Sequence, residues 1–231
     1  MISQAVKLRI ELLGLKPLDL DPILSQNSDY QIELYERKLS LVHLKDKHHV
    51  FVDFDSKQLK FRSQAHLNAE LVIKAVLGKK KQPTTIMDCT AGFGKDSYLM
   101  SLTGSKINAY ESNPLMFALL KDGLNRSQLE NISLRKTDAL RDLKTTECKV
   151  IYIDPMYPMT KKTAKNNKHM SFLQAFVGHQ ADMAVELFIQ AKLSNAIKIV
   201  IKRPVKAGFV LDKKPTSQIV GKAARFDIYA N

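Results

Sequence analysis

The chain has 231 residues, 45% of them hydrophobic, and a formal net charge of +13. This length predicts one α/β domain, or one domain with a small appendage, and the hydrophobic content is ample for a core. So basic a charge favours an anionic partner, most often nucleic acid, and the alternative is a soluble protein whose lysines are simply solvated.

Membrane, secreted and metal-thiolate classes are also disfavoured. No apolar stretch reaches membrane-spanning length and the N-terminus lacks a signal-peptide core, so we expect a soluble, cytoplasmic protein. Cys89 and Cys148 do not have metal-ligand spacing. We therefore expect two buried thiols in a reducing compartment and no bound metal.

The N-terminal region predicts a small β-rich subdomain. Residues 6–13 fit a short helix or strand, and a turn follows at residues 16–22. From Tyr30 onward, four apolar runs separated by turn-prone residues predict a small antiparallel meander, with residues 59–61 as its last strand. We place the domain boundary after this meander, giving subdomains 1–64 and 65–231.

Beyond residue 65, helical and strand patterns alternate. Helices are predicted at residues 65–77, 98–102, 114–124 and 172–192, and strands at residues 85–88, 106–110, 132–135, 149–153 and 196–201. This alternation predicts an α/β fold with a twisted, mostly parallel sheet and helices on both faces. Residues 217–220 and 225–229 flank a turn and predict a C-terminal antiparallel hairpin.

A glycine turn follows the first strand of this sheet. Residues 85–96 read Thr-Ile-Met-Asp-Cys-Thr-Ala-Gly-Phe-Gly-Lys-Asp, which is typical of strand, tight turn and helix. Gly92 and Gly94 let the backbone turn sharply and let a ligand approach the main chain. Such a unit is the nucleotide-binding corner of doubly wound folds.

Acidic side chains end four of the predicted strands. Asp88 ends the first strand, Glu111 the second and Asp154 the fourth, and Asp138 follows the third. Ligands of open α/β sheets bind beyond the carboxyl ends of the strands, and an acid about 20 residues after the glycine turn binds ribose hydroxyls. We therefore expect these four acids to converge on one site, with Asp138 near an adenine ring edge.

The segment Asp154-Pro155-Met156-Tyr157-Pro158 is stiff, because proline fixes φ and removes backbone donors. A carboxylate and a backbone carbonyl that accept both N–H bonds of an amino group favour its nucleophilic form. A neighbouring aromatic ring offers a stacking platform for an extruded base. We assign these catalytic roles to Asp154, the Pro155 carbonyl and Tyr157.

These motifs together resemble the bacterial small-subunit (16S) ribosomal RNA guanine-N2 methyltransferases, which use S-adenosylmethionine (SAM). The resemblance runs from about residue 50 to the C-terminus. The motifs that carry it are Asp88-Cys-Thr-Ala-Gly-Phe-Gly-Lys-Asp96, Glu111-Ser-Asn-Pro114, Asp154-Pro-Met-Tyr-Pro158, Lys202-Arg-Pro204 and Arg225-Phe-Asp-Ile-Tyr229. It implies a Rossmann-like class I methyltransferase domain and methyl transfer to the N2 amino group of a guanine in 16S rRNA or the small ribosomal subunit.

The resemblance also implies the cofactor contacts. Lys95 and Asp96 would flank the methionine end of SAM, Glu111 and Ser112 would bind its ribose, and Asp138 with Ala139 its adenine. The predicted cofactor-binding set is Asp88, Gly92, Gly94, Lys95, Asp96, Glu111, Ser112, Asp138, Ala139 and Asp154. The chain departs from the family pattern at Lys95 and Ser112, where arginine is usual, and at Asp138-Ala139, which replaces a pair of small hydroxyl residues.

Several of the basic residues follow the predicted catalytic loop or the fifth strand, on the same edge of the sheet, and predict an RNA-binding surface there. Their phosphate contacts would position the RNA without reading its sequence. The predicted RNA-binding residues are Lys161, Lys162, Lys165, Lys168, Lys202 and Arg203.

Three other functions remain as alternatives. A dinucleotide oxidoreductase would use the same corner, but Ser97 stands where the third small residue of that fingerprint belongs and the Asp-Pro-Met-Tyr-Pro segment has no hydride-transfer role. A non-catalytic RNA-binding relative would keep the fold without the activity. Adenine-N6 methylation of nucleic acid would use a similar Asp-Pro-x-aromatic loop.

Overall fold

The computed structural model describes residues 2–65, 67–79, 81–155, 176 and 181–231. Their contacts divide them into two compact units. The first unit holds residues 2–54, 113–128 and 176, and the second holds the described parts of 55–112, 129–155 and 181–231. The first unit thus joins segments that are far apart in sequence, and the division into subdomains 1–64 and 65–231 stays a prediction.

The described residues contain eight α-helices and ten β-strands. The helices are α1 (Gln4–Leu12), α2 (Asp21–Ser25), α3 (Lys57–Ala65), α4 (Leu71–Leu77), α5 (Lys95–Ser101), α6 (Pro114–Arg126), α7 (Leu140–Leu143) and α8 (Ala181–Lys192). The strands are β1 (Tyr30–Tyr35), β2 (Lys38–His43), β3 (His48–Val50), β4 (Thr85–Asp88), β5 (Lys106–Tyr110), β6 (Ile132–Arg135), β7 (Val150–Ile153), β8 (Lys198–Pro204), β9 (Ser217–Val220) and β10 (Ala224–Ala230). Short 3-10 segments lie at Pro17–Asp19, Leu67–Ala69 and Val210–Asp212.

The first unit contains a three-stranded antiparallel sheet in the order β1-β2-β3. The predicted antiparallel meander is thus confirmed for three strands, although the third lies at His48–Val50 and overlaps the predicted run of residues 50–54 only at Val50. The fourth, at residues 59–61, is wrong because these residues lie inside α3. Leu59 is buried but Phe61 is 65% exposed, so the two apolar residues do not share one strand face. Straight-chain neighbours that favour helix surround them.

Helix α6 belongs to the first unit and begins as the sequence predicts. Asn113 caps it, its side-chain oxygen accepting hydrogen bonds from the backbone N–H groups of Leu115 and Met116 at 3.0 and 3.1 Å. Pro114 occupies the first helical position, where a missing N–H costs nothing.

The second unit contains a seven-stranded sheet in the order β6-β5-β4-β7-β8-β10-β9. The first five strands in that order are parallel, and β10 and β9 run antiparallel as a hairpin. The predicted α/β class, the mostly parallel sheet and the C-terminal hairpin are therefore confirmed. Strand order reverses between β4 and β7, which makes their carboxyl ends the topological switch point where ligands of such sheets bind.

The core of the second unit is built on the central strands. All four residues of β7 are buried, as a central strand of a parallel sheet requires. Ile151 and Ile153 pack in one cluster with Ile199, Leu187 and Phe188 from β8 and α8. The core thus holds the ends of β4, β7 and β8 in fixed register.

Two predicted helices differ from the structure. The predicted helix at residues 65–77 is interrupted, because Glu70 has an extended backbone and α4 starts only after it. The Glu70 carboxylate accepts two hydrogen bonds from the Arg62 guanidinium, at 2.8 and 2.7 Å. Of the predicted helix at residues 172–192, only Phe176 and residues 181–192 lie in the described residues.

Within the described part of the chain, no helix has the length and apolar character to cross a membrane.

Candidate active site

The loop between β4 and α5 forms the predicted glycine turn. Gly92 and Gly94 have φ angles of 53° and 71°, in the left-handed region that favours glycine. A Cβ placed on Gly92 would have the Thr90 carbonyl oxygen as its nearest contact, at 3.9 Å. The main chain of this loop is therefore open to a ligand.

Asp88 holds this loop in shape. Its carboxylate accepts hydrogen bonds from the Ser97 hydroxyl at 2.5 Å and from the backbone N–H of Thr90 at 3.1 Å. The residue is only 1% exposed, and burial raises its pKa to about 7 against the lowering effect of these hydrogen bonds. Through these bonds Asp88 connects the two ends of the glycine loop. Its direct contact with a cofactor stays a prediction.

Glu111 lies directly after β5, beside the same loop. One carboxylate oxygen accepts a hydrogen bond from the backbone N–H of Gly92 at 3.0 Å, and the residue is 8% exposed. The structure thus brings Asp88, Glu111 and the glycine loop together, as the sequence predicts.

Asp154 lies in an ionic cluster at the carboxyl end of β7. The Lys202 ammonium is 2.8 Å from a carboxylate oxygen of Asp154 and 2.8 Å from one of Asp96. The same Asp96 oxygen accepts a hydrogen bond from the Tyr152 hydroxyl at 2.6 Å. The backbone N–H of Asp154 donates to the Thr90 hydroxyl at 2.7 Å, which ties the end of β7 to the glycine loop.

The cluster separates the pKa values of its two carboxyl groups. Burial raises the pKa of Asp154 to about 6, with a further rise from the nearby Asp96 charge and a lowering effect from Lys202. Burial also acts to raise the pKa of Asp96, but Lys202 and the hydrogen bond from Tyr152 outweigh it and hold that pKa below its ordinary value. Asp96 is thus the firmly ionised member, and Asp154 is the one that titrates nearest to neutrality.

The remaining predicted cofactor residues lie around these groups or farther along the sheet edge. Lys95 begins α5 and its ammonium lies 5.9 Å from the Phe93 ring centre, and burial lowers its pKa. Ser112 is exposed directly after Glu111. Asp138 accepts a hydrogen bond from the backbone N–H of Leu140 at 2.9 Å. Ala139 is buried in the core.

Several predicted residues fall outside what the structure describes. Tyr157, Lys161, Lys162, Lys165 and Lys168 lie outside the described residues, so their roles stay predictions. Pro155 is described and lies next to Asp154. Among the described residues no group of histidine, cysteine and acidic side chains could hold a metal ion.

Lys202 and Arg203 were predicted to contact phosphates. The ammonium of Lys202 is bonded to two carboxylates, so its first role is within the ionic cluster. Arg203 is partly buried near the end of β8. Phosphate contact by either residue stays a prediction.

Sequence reasoning missed Tyr152 and the part played by Thr90 and Lys202 in the cluster. Tyr152 lies two residues before Asp154, and residues two apart share a strand face. The register that pairs Ile153 with Ile201 places Lys202 beside Asp154. That neighbour relationship depends on the strand order, which the sequence alone does not state.

Comparison with known proteins identifies the family. The family model described as "Putative SAM-dependent methyltransferase" matches residues 16–231. The chain belongs to this family.

Relatives agree with this assignment. A protein named ribosomal RNA small subunit methyltransferase J from Francisella philomiragia is 34% identical over 224 residues, covering 92% of this chain and 92% of the relative. A protein of the same name from Francisella tularensis subsp. novicida is 32% identical over 231 residues, covering 91% and 94%. The crystal structure of a SAM-dependent methyltransferase from Neisseria gonorrhoeae superposes with a TM-score of 0.71 at 27% identity, covering 99% of this chain and 92% of the other.

The cofactor of this methyltransferase is SAM, and the residues at the switch point fit it. The open main chain at Gly92 gives room for close approach. The Glu111 carboxylate is a natural acceptor for a ribose diol. The carboxylates of Asp96 and Asp154 together exceed the single Lys202 ammonium by one negative charge, which suits a sulfonium cation.

Proposed function

We propose that the protein methylates the N2 amino group of a guanine in 16S ribosomal RNA, with SAM as donor. The observation that carries this proposal is the fixed Asp154-Pro155 segment at the switch point, beside the glycine loop of a SAM-dependent methyltransferase. The names of the Francisella relatives support small-subunit rRNA as the substrate. The net charge of +13 suits a polyanionic partner.

Asp154 is the residue that accepts from the target amine. One of its oxygens is bonded to Lys202, and the other makes no hydrogen bond within the described residues. Its side chain is 32% exposed, so that oxygen is within reach of a substrate. The Pro155 carbonyl is the second acceptor and Tyr157 the stacking platform for the extruded base.

Asp154 also accepts the proton that the target amine loses on methylation. SAM, when bound, supplies an electrophilic methyl group on a sulfonium. The amine that receives this methyl must lose one proton, and the unbonded Asp154 oxygen is the acceptor we assign for it. A carboxyl group with a pKa of about 6 is ionised at neutral pH and is a better proton acceptor than an ordinary carboxylate. Because the acceptors are already held in place, positioning supplies much of the rate.

The decisive experiment is methyl transfer from labelled SAM to small ribosomal subunits that lack their own methylation, followed by nucleoside analysis. Label in N2-methylguanosine is the expected result. Label in N6-methyladenosine would retain the site but change the target base, and no label with SAM binding intact would indicate a non-catalytic RNA-binding relative.

The variant Asp154→Ala tests the residue assignment. We expect a loss of methyl transfer of about 100-fold or more, because the acceptor for the amine is removed. The unfolding midpoint shows whether the fold is intact, and the rate is measured at saturating SAM because Asp154 is also a predicted cofactor contact. The control is Asp182→Ala, which removes an exposed acid from α8 and should leave the rate unchanged. Full activity of Asp154→Ala would refute the assignment.

A further inference from the structure

The first unit contains a cavity lined largely by arginine. Its volume is about 570 Å³ and its lining residues are Arg9, Leu34, Arg37, Asn125 and Arg126. The arginines come from three places: α1, the turn between β1 and β2, and the last turn of α6. Three arginines from three elements therefore line a space large enough for a phosphodiester.

A single buried carboxylate fixes two of these arginines. Asp122 is fully buried, and its oxygens accept hydrogen bonds from Nε of Arg9 at 2.6 Å and Nε of Arg126 at 2.9 Å. The backbone N–H of Leu39 donates to the second oxygen at 3.1 Å. Arg9 uses only Nε in this way, so its two Nη groups keep their donors for another partner.

The cavity carries excess positive charge. Three of the residues that line it are arginines and none is acidic, and the buried Asp122 beside it balances one of the three guanidinium groups. Glu36 and Glu33 lie outside this lining: the Glu36 carboxylate is 3.8 Å from the Lys38 ammonium, which also pairs with Asp53 at 2.8 Å, and the Glu33 carboxylate is 3.2 Å from a His49 ring nitrogen. The C-terminal end of α6 contributes only about half a negative charge, less than the two guanidiniums that remain unbalanced.

Arg37 is held at the cavity by an unfavourable turn. Glu36 and Arg37 form the two-residue connection of the β1–β2 hairpin with φ angles of 48° and 63°. Such turns strongly prefer Asn-Gly or other glycine-containing pairs, because side chains with a Cβ are strained at positive φ. The Arg37 side chain makes no hydrogen bond or ion pair within the described residues. A strained, exposed arginine without an internal partner is suited to an external anion.

We propose that this cavity binds a backbone phosphate of the RNA substrate. Arginine side chains bind phosphate oxygens through several donors, and Asp122 already positions two of the three, so little side-chain freedom is lost on binding. Arg9 keeps both of its Nη groups for this contact, whereas Arg126 also donates to the Val52 carbonyl and has fewer donors left. The substrate identity rests on the function proposed above. The cavity contributes affinity and register on the RNA rather than sequence reading.

The test is Arg37→Gly, with Lys47→Gly as the matched control. Lys47 is also an exposed basic residue at positive φ, 53°, and it lies in the connection between β2 and β3 of the same sheet. Both variants remove one positive charge and relieve one strained backbone position, but only Arg37 lines the cavity. Each protein is titrated with a small-subunit rRNA fragment at several salt concentrations.

We expect Arg37→Gly to weaken RNA binding roughly five- to tenfold at physiological salt. The slope of log affinity against log salt should fall in magnitude by about 1. In the methyl-transfer assay KM for RNA should rise by a similar factor with kcat unchanged, because the contact is uniform in ground and transition states. Lys47→Gly should show none of these changes, and both variants should unfold no more easily than the parent.

An unchanged salt slope and KM for Arg37→Gly would overturn the proposal. So would equal changes in both variants, since these would reflect net charge alone. Binding of inorganic phosphate is measured as well, for the parent and for Arg37→Gly. If phosphate binds the parent but not Arg37→Gly while RNA affinity is equal in both, the cavity is a small-anion site and the RNA assignment is wrong. Each of these results can arise while N2-methylguanosine is still formed, so failure here is distinguishable from failure of the proposed function.

Discussion

Lys202 places one ammonium between the carboxylates of Asp96 and Asp154, at 2.8 Å from each. Two carboxyl groups that share a site repel each other, and one of them normally takes up a proton. The ammonium keeps the pair ionised at neutral pH and leaves Asp154 the more easily protonated of the two. Tyr152 adds to this division by donating its hydroxyl to Asp96 alone.

This arrangement predicts the acid limb of the pH–rate profile. Asp154 must be ionised to accept from the amine, and its pKa is raised to about 6. The value of kcat/KM should therefore be low at acid pH, rise through about pH 6 and level off above it. Removing the ammonium in Lys202→Gln takes away a cause that lowers this pKa, so the midpoint should move upward by about 1 pH unit.

The control for that profile is Lys222→Gln, which removes an exposed lysine from the turn of the C-terminal hairpin. Its midpoint should match the parent. A parent profile that is flat between pH 5 and 7 would contradict the role of Asp154. A downward movement in Lys202→Gln would contradict the electrostatic assignment.

Among the elements, helix α6 contains a glycine, Gly123, that close packing against Val52 requires. Gly123 lies in the middle of this helix, where glycine costs about 1 kcal/mol relative to alanine. A Cβ at this position would overlap the Val52 side chain, coming within 2.7 Å of its Cβ and closer still to Cγ1. Arg126, one turn later on the same face, donates a hydrogen bond to the Val52 carbonyl and prevents that segment from moving away.

Gly123→Ala should therefore destabilise the protein despite the better helix propensity of alanine. Overpacking should exceed the propensity gain and lower the free energy of unfolding by about 1–2 kcal/mol, measured by denaturant titration. Gly208→Ala is the control, because a Cβ there has no atom within 4 Å and the backbone is not at positive φ. A stabilised Gly123→Ala would show that Val52 can retreat.

For the molecule as a whole, the sequence predicted what depends on local pattern. The strands β5 and β6, the glycine turn at Gly92 and the acids at strand ends all follow from apolar runs that stop at turn residues. It failed at two places around α3 and α4. The apolar run at residues 59–61 predicts a strand, although helix-favouring neighbours surround it. The break at Glu70 accompanies its pairing with Arg62, which the apolar pattern does not show.

For the candidate site, too, the sequence predicted the residues at strand ends but not the contacts that depend on strand order. Asp88, Glu111 and Asp154 could be placed at one sheet edge because parallel strands share a carboxyl edge. The bonds from Lys202 to Asp96 and Asp154 could not, because they require that β8 lie next to β7. The association of α6 with the N-terminal sheet likewise joins segments that are separated by about 60 residues of intervening chain.

SAM binding should stabilise the whole methyltransferase against unfolding. A ligand at 100 times its Kd adds about 2.7 kcal/mol if it binds only the native state. In Glu111→Gln the ribose acceptor is weakened, so the rise in unfolding temperature with added SAM should be smaller than in the parent. Glu130→Gln changes an exposed acid and should retain the full rise. Equal rises in both variants would exclude Glu111 as a cofactor contact.

The interior position of β8 has a consequence during protein synthesis. Until residues 198–204 have emerged from the ribosome, β7 is an edge strand whose four residues are all apolar or aromatic, and an unpaired apolar edge invites aggregation. Over the same interval Asp96 and Asp154 lack the ammonium that compensates them. The nascent chain therefore has to be shielded until β8 has emerged, and a chain that terminates before β8 should accumulate as insoluble material rather than as a partly active enzyme.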